Sequence, residues 1–259
     1  MREGERIAVF DNDGTLWTEQ PLYAQAFFAL DQIKTLAPQH PEWQTEQPFT
    51  AILHGDQAAM KQFSEEDVGK LMVAAHSGMT TGEFDAQATA WAQSAKNPLT
   101  DHLFTESIYQ PQLELMDYLR ANGFTTYIVS GGGIDLMRTF ADETYGIPPS
   151  QVIGSSGKVT YSLADGVPTL TKQPEVNSID DKDGKPVNIY LHIGQKPILA
   201  FGNSDGDQQM LEYTDQGDGP RLMLLTMPSA RWPTTAIRRS ASSIPPGTKR
   251  SRRAGMSSA

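Results

Sequence analysis

Cysteine is absent from this 259-residue chain. Disulfide frameworks and thiolate metal sites are therefore excluded, and the redox compartment is not legible. No run of about 18 apolar residues occurs, so no membrane-spanning helix is expected. Positive charge is scarce too. Lys and Arg number 21 against 31 Asp and Glu, a net charge of −10, which argues against the basic face that nucleic acid requires. An acidic chain that handles anionic esters needs local cations at its site. The opening residues Met1 to Arg6 are charged and lack the apolar stretch of a secretory signal. The chain is expected to be cytoplasmic on that ground, although a processed exported protein would read the same way. Oligomeric state is not legible.

What is present suits a packed core with many loops: 38% hydrophobic residues, 22 Gly and 17 Pro. Ile7, Ala8, Val9 and Phe10 read as a short buried strand that ends in Asp11. From Trp17 to about Thr105 the character is helical. Tyr23, Phe27, Phe28, Leu30 and Ile33 fall at helical spacing, the stretch 85–95 is rich in Ala and Gln, and Pro38, Pro41 and Pro48 break the run. A helix is expected over 111–122, closed by Gly123. A second strand over 125–129 runs into Ser130-Gly131-Gly132-Gly133, and one helix over 134–145 follows.

Short strands are expected at 151–154, 158–163 and 169–171, with a hairpin as one arrangement of them, then a short helix over 185–193 weakened by Val187 and Asn188. A third core strand over 197–201 leads into Gly202-Asn203-Ser204-Asp205-Gly206-Asp207, and a fourth covers 221–225. From Met227 the composition changes. Seven Lys and Arg with no acidic residue, in a stretch full of Ser, Ala and Pro, leave the preceding residues at a net −17. A disordered basic tail is expected there.

Strands alternating with helices predict an α/β fold, with a Rossmann-like parallel sheet as core and a helical cap inserted after the first strand. The predicted division is residues 1–16 and 106–226 for the core, 17–105 for the cap, and 227–259 for the tail. In such a sheet the loops at the carboxyl ends of the strands meet in one crevice. Asp11, Ser130 and the 202–207 loop are thereby brought together.

The chemistry follows from residue types. A carboxylate at a strand terminus can attack phosphorus and form an aspartyl-phosphate. In Asp11-Asn12-Asp13-Gly14-Thr15-Leu16 a second carboxylate stands two residues on, placed to protonate a leaving alkoxide and then activate water. A plain loop whose Asp residues cap a helix would explain Asp-x-Asp alone; it does not explain the preceding apolar strand or the following Gly-Thr-Leu. Ser130 and the backbone at Gly131 precede a helix and can bind phosphate oxygens. The acidic 202–207 loop offers oxygen ligands suited to Mg²⁺. A cation must also face the phosphoryl oxygens. Lys185 is the favoured candidate, with Lys172, Lys182 and Lys196 as rivals.

The order of nucleophile loop, helical insert, Ser-Gly, Lys and acidic loop resembles the haloacid dehalogenase superfamily, in its phosphoserine-phosphatase-like branch, over roughly residues 6–226. The resemblance implies that Asp11 is the nucleophile, that Asp13 is the acid/base, that Ser130, Gly131 and Lys185 bind phosphate, and that Mg²⁺ is held by Asp11, by Asp13 through its backbone carbonyl, and by the last loop. It further implies hydrolysis of a small phosphomonoester. That loop departs from the family pattern: Asn203 stands where an Asp is usual, Asp207 takes the second acidic position and Asp205 lies between, so the loop ligand stays open among the three. The rival readings are a non-catalytic phosphate- or partner-binding module and a phosphotransferase to an acceptor other than water.

Overall fold

The computed structural model describes residues 3–216 and 219–226; the expected tail lies outside them. Six strands form one sheet: β1 (Ile7–Phe10), β2 (Thr125–Gly133), β3 (Val152–Ala164), β4 (Val167–Ser178), β5 (Leu199–Gly202) and β6 (Leu222–Leu225). Their spatial order is β4-β3-β2-β1-β5-β6. All neighbours pair in parallel except β3 and β4, which are antiparallel.

β1 is central and buried on both faces, which is why it reads as an unbroken apolar run. Its residues alternate between two cores. Ile7 and Val9 join Val129, Ile153, Ile189, Ala200 and Met210 on one side. Ala8 and Phe10 face the other, where Phe10 stacks on Phe201 with centroids 4.4 Å apart.

Helices α1 (Ala24–Leu36), α2 (Phe49–His54), α3 (Gln57–Met60), α4 (Glu65–His76) and α5 (Thr81–Ala92) lie in sequence between β1 and β2. Capping boxes start two of them. Ser64 with Asp67 opens α4, and Thr80 with Glu83 opens α5. Phe28 of α1 meets Phe84 and Trp91 edge-on, at 5.6 and 5.5 Å. Buried residues of these helices belong to the same cluster as Ala8 and Phe10, so they share apolar contacts with one sheet face.

The remaining helices are α6 (Gln110–Ala121), α7 (Ile134–Arg138), α8 (Ala141–Tyr145), α9 (Gly184–His192) and α10 (Gln208–Asp215). Two expectations need correction. The single helix over 134–145 is two, interrupted at Thr139 and Phe140, where Phe140 leaves helical geometry at φ −126° and stacks on Trp17 at 4.6 Å. The strands after Gln151 do form a hairpin, but as two continuous strands of 13 and 12 residues rather than three short ones. Its turn is Asp165-Gly166, both at positive φ (51° and 79°), the two-residue geometry that Asp-Gly favours. The hairpin reaches the inserted helices: Lys172 N–H donates to Met79 O at 2.9 Å, and Gly78 N–H to Lys172 O at 3.0 Å. Among the described residues no helix is long and apolar enough to cross a membrane.

Candidate active site

Asp11 follows the last residue of β1, and its backbone N–H donates to Phe201 O at 2.9 Å. The chain then turns sharply, because Asn12 O accepts from the N–H groups of Thr15, Leu16 and Trp17 at 3.1, 2.8 and 3.3 Å. Tyr145 fixes Asn12 from the side, donating to its Oδ1 at 3.1 Å. Gly14 sits at φ +84°, and a side chain on it would collide with the amide of Asn203. Only glycine serves both requirements, so the nucleophile loop and the 202–207 loop touch here.

Lys185 lies in the first turn of α9, whose buried residues Lys185, Asn188 and Ile189 form one helix face. Its Nζ is 2.8 Å from Asp11 Oδ1, 2.6 Å from Asp207 Oδ1 and 2.9 Å from Val129 O. Burial alone would lower the ammonium's pKa, but the carboxylates of Asp11 and Asp207 raise it above the ordinary lysine range, so it stays charged. Among the described residues none of the rival lysines is bonded to Asp11. Lys172 is ion-paired with Asp135, Lys196 donates to Gln216 O, and Lys182 is exposed.

Asp13 is partly buried, and its Oδ1 accepts from the Trp17 indole at 2.8 Å. Its carboxyl is pushed up to about 6, by burial foremost. Asp11 is also raised, by burial first and further by the Asp207 and Asp13 charges, with Lys185 opposing. Ser130 is buried at the end of the regular part of β2, and its Oγ accepts from Gly132 N–H at 3.3 Å. A methyl group placed on Gly132 would lie 3.4 Å from Asp13 Oδ2 and 3.6 Å from Ser130 Oγ. The two side chains therefore converge on the same space. Asp11, Asp13, Ser130, Gly131, Lys185 and Asn203 all line one cavity of about 710 Å³.

The loop after β5 divides its three candidates. Asp207 is fully buried. Its Oδ1 takes Lys185, and its Oδ2 accepts from the N–H groups of Asn203 and Ser204 at 2.8 and 3.0 Å. Both oxygens are committed to shaping the loop and holding the lysine. Asp205 is on the exposed side of the turn. Asn203 faces the cavity, with its Oδ1 accepting from Thr15 Oγ1 at 3.3 Å.

A supporting network was not read from sequence. Asn188 donates to Asp180 Oδ1 at 2.9 Å, Asp180 N–H to Ser155 Oγ at 2.9 Å, and Ser155 Oγ–H to Gly131 O at 2.8 Å. The Asp180 carboxyl is itself pushed up to about 6, mainly by burial. These residues tie the β2 glycine run to α9. Nothing in their spacing announces it, although Asn188 stood out as a residue that weakens the expected helix.

Oxygen donors alone suit a hard cation. Among the described residues no cluster of three or more His, Cys, Asp or Glu is placed to hold a metal. Two desolvated carboxylates beside an amide oxygen nevertheless match the one or two carboxylates that Mg²⁺ uses alongside water and phosphate. Burial raises the pKa of both Asp11 and Asp13, and a cation beside them would favour their ionised forms.

The sequence pattern of the haloacid dehalogenase-like hydrolases matches residues 8–212, and the chain belongs to that family. No curated protein matches it. Among solved structures it is similar to a Bordetella pertussis Tohama I protein of unknown function, with TM-score 0.57 and 14% identity over 91% of this chain and 96% of that one. It is also similar to a conserved, functionally unknown protein of Anaerococcus prevotii DSM 20548, with TM-score 0.53 and 16% identity over 88% and 81%. A phosphoserine phosphohydrolase-like protein of Francisella tularensis subsp. tularensis SCHU S4 aligns at TM-score 0.44 and 19% identity over 80% and 82%. At these identities the likeness to the first two is one of fold.

Proposed function

We propose that this hydrolase is a Mg²⁺-dependent phosphatase that cleaves a small phosphomonoester through an aspartyl-phosphate on Asp11. The observation that carries the reading is the pairing of Asp11 with a buried, charged Lys185 on one oxygen, next to a second carboxyl raised into the range of a working acid. Asp11 attacks phosphorus, and the bond from phosphorus to the ester oxygen breaks. Asp13 donates its proton to that oxygen. Asp13, now ionised, takes a proton from water, whose oxygen attacks phosphorus and releases Asp11 and inorganic phosphate.

Lys185 offsets charge on the phosphoryl oxygens and on Asp11. The Ser130 hydroxyl and the backbone at Gly131 orient those oxygens. Asp11, the Asp13 carbonyl and Asn203 would hold Mg²⁺, with Asp207 positioning the loop and the lysine rather than ligating. The ion would supply positive charge beside the phosphoryl group. The helices within 17–105, joined by the β3–β4 hairpin, act in this reading as a cap over the site.

Activity on para-nitrophenyl phosphate is expected with Mg²⁺ and to vanish in excess chelator; full activity with chelator would refute the metal role. Asp13→Asn should depress turnover of alkyl phosphates far more than of para-nitrophenyl phosphate, because nitrophenolate departs without a proton. Equal losses on both would remove Asp13 as the acid.

A further inference from the structure

The cavity above Asp11 is much larger than a phosphoryl group needs. Its volume of about 710 Å³ lies within the roughly 300–1,000 Å³ of pockets that enclose whole small molecules. The catalytic end is polar, and apolar side chains make up much of the side walls. Val68, Met72 and Val73 of α4 line it, as do Leu136 of α7, Val176 of β4 and Ile179 just beyond β4. Three of these are large, apolar and left to solvent: Val68 at 49%, Val176 at 60% and Ile179 at 57% exposure. Exposed apolar side chains scattered singly are ordinary. Here one from α4 and two at the end of β4 line the same cavity, and apolar side chains gathered in this way mark a binding surface.

The charges in the cavity point the same way. Besides Lys185, Lys172 is the one Lys or Arg that lines it among the described residues. That ammonium is already paired with Asp135 and lies 4.4 Å over the Phe84 ring. His76 is neutral: burial pushes it down to about 4, and its Nδ1 is bonded to Met72 O at 2.7 Å. Asp181 adds negative charge to the lining, while Glu175, also in it, is paired with Lys158 at 2.6 Å. Among the described lining residues a substrate bearing a second anionic group finds no unpaired cation besides Lys185's own site, and it meets the Asp181 carboxylate.

From these walls and charges we infer that the group esterified to phosphate is uncharged and apolar, an alkyl chain or aryl ring seated between α4 and the β4 strand. The inference rests on the phosphatase reading and names its substrate class. Ethyl, butyl and hexyl phosphate separate the two, because their alcohols leave with nearly equal difficulty and differ in the surface they bury. With Mg²⁺ present, kcat/KM should rise by up to about fourfold per added methylene, the factor set by burying one CH₂. It should also be higher for hexyl phosphate than for phosphoserine or phosphoethanolamine.

A flat or falling series overturns the inference, as does preference for either amino ester, while turnover of para-nitrophenyl phosphate keeps the phosphatase reading standing. Turnover of no ester at all overturns both. Val176→Asp, at an exposed position where folding is not at stake, should lower the hexyl-to-ethyl ratio. An unchanged ratio places the alkyl chain elsewhere and sinks the assignment of this wall.

Discussion

Asp11→Asn should reduce kcat on para-nitrophenyl phosphate by on the order of 10⁴-fold or more, the scale seen when an enzyme loses its nucleophile. The amide has nearly the shape of the carboxylate. Its oxygen can still accept the hydrogen bond that Lys185 now gives Asp11 at 2.8 Å, and the backbone tie from residue 11 to Phe201 at 2.9 Å does not involve the side chain. The far-UV circular dichroism and chromatographic behaviour should therefore match the wild type while turnover is lost. What disappears is the electron pair that attacks phosphorus. Acid-quench trapping with labelled substrate makes the distinction directly: the wild type should retain phosphate covalently, and the variant should not. Residual activity above a few per cent of wild type, or a labelled variant, removes Asp11 from the nucleophile's place.

How much of this arrangement was legible in the sequence depends on the range of the interaction. The β1 strand and its terminal carboxylate were plain, because a strand buried on both faces must be apolar throughout and a break to Asp-Asn-Asp-Gly ends it visibly. Lys185 was reached by chemistry and order along the chain. Its contact with Asp207 was not foreseen, because that depends on α9 turning its Lys185, Asn188 and Ile189 face inward. The hairpin was in view but its length was not: the flanking strands read as fragments because much of the hairpin is solvated, although Asp165-Gly166 is a local two-residue turn sequence. The break in the helix after Arg138 had no local signal. It coincides with the stacking of Phe140 on Trp17, two residues that are 123 apart in the numbering.

Lys185→Met should cost stability as well as activity. In the native protein one ammonium serves two buried carboxylates, Asp11 at 6% and Asp207 at 0% exposure. Methionine fills similar space but leaves those charges without their cation, and breaking a buried pair in this way typically costs about 3–5 kcal/mol. The pH dependence identifies the cause. Burial already raises the Asp11 carboxyl, and Lys185 is the group that opposes the rise. Without the lysine it rises further above the unfolded value of about 3.9. A carboxyl raised in the folded state binds its proton more tightly there than in the unfolded chain. Its stabilising contribution is thus present at low pH and lost as pH climbs above that unfolded value. Urea unfolding without metal, at pH 5 and pH 8, should show a small gap between variant and wild type at the lower pH and a wide one at the higher. Replacing Asp207 by Asn in the Lys185→Met background should recover part of the stability at pH 8, since one orphaned charge is gone, while turnover stays absent. A gap of the same size at both pH values would mean that lost packing, not stranded charge, destabilises the variant. The central lysine would then be a filler of space rather than the electrostatic keystone between the nucleophile and the acidic loop.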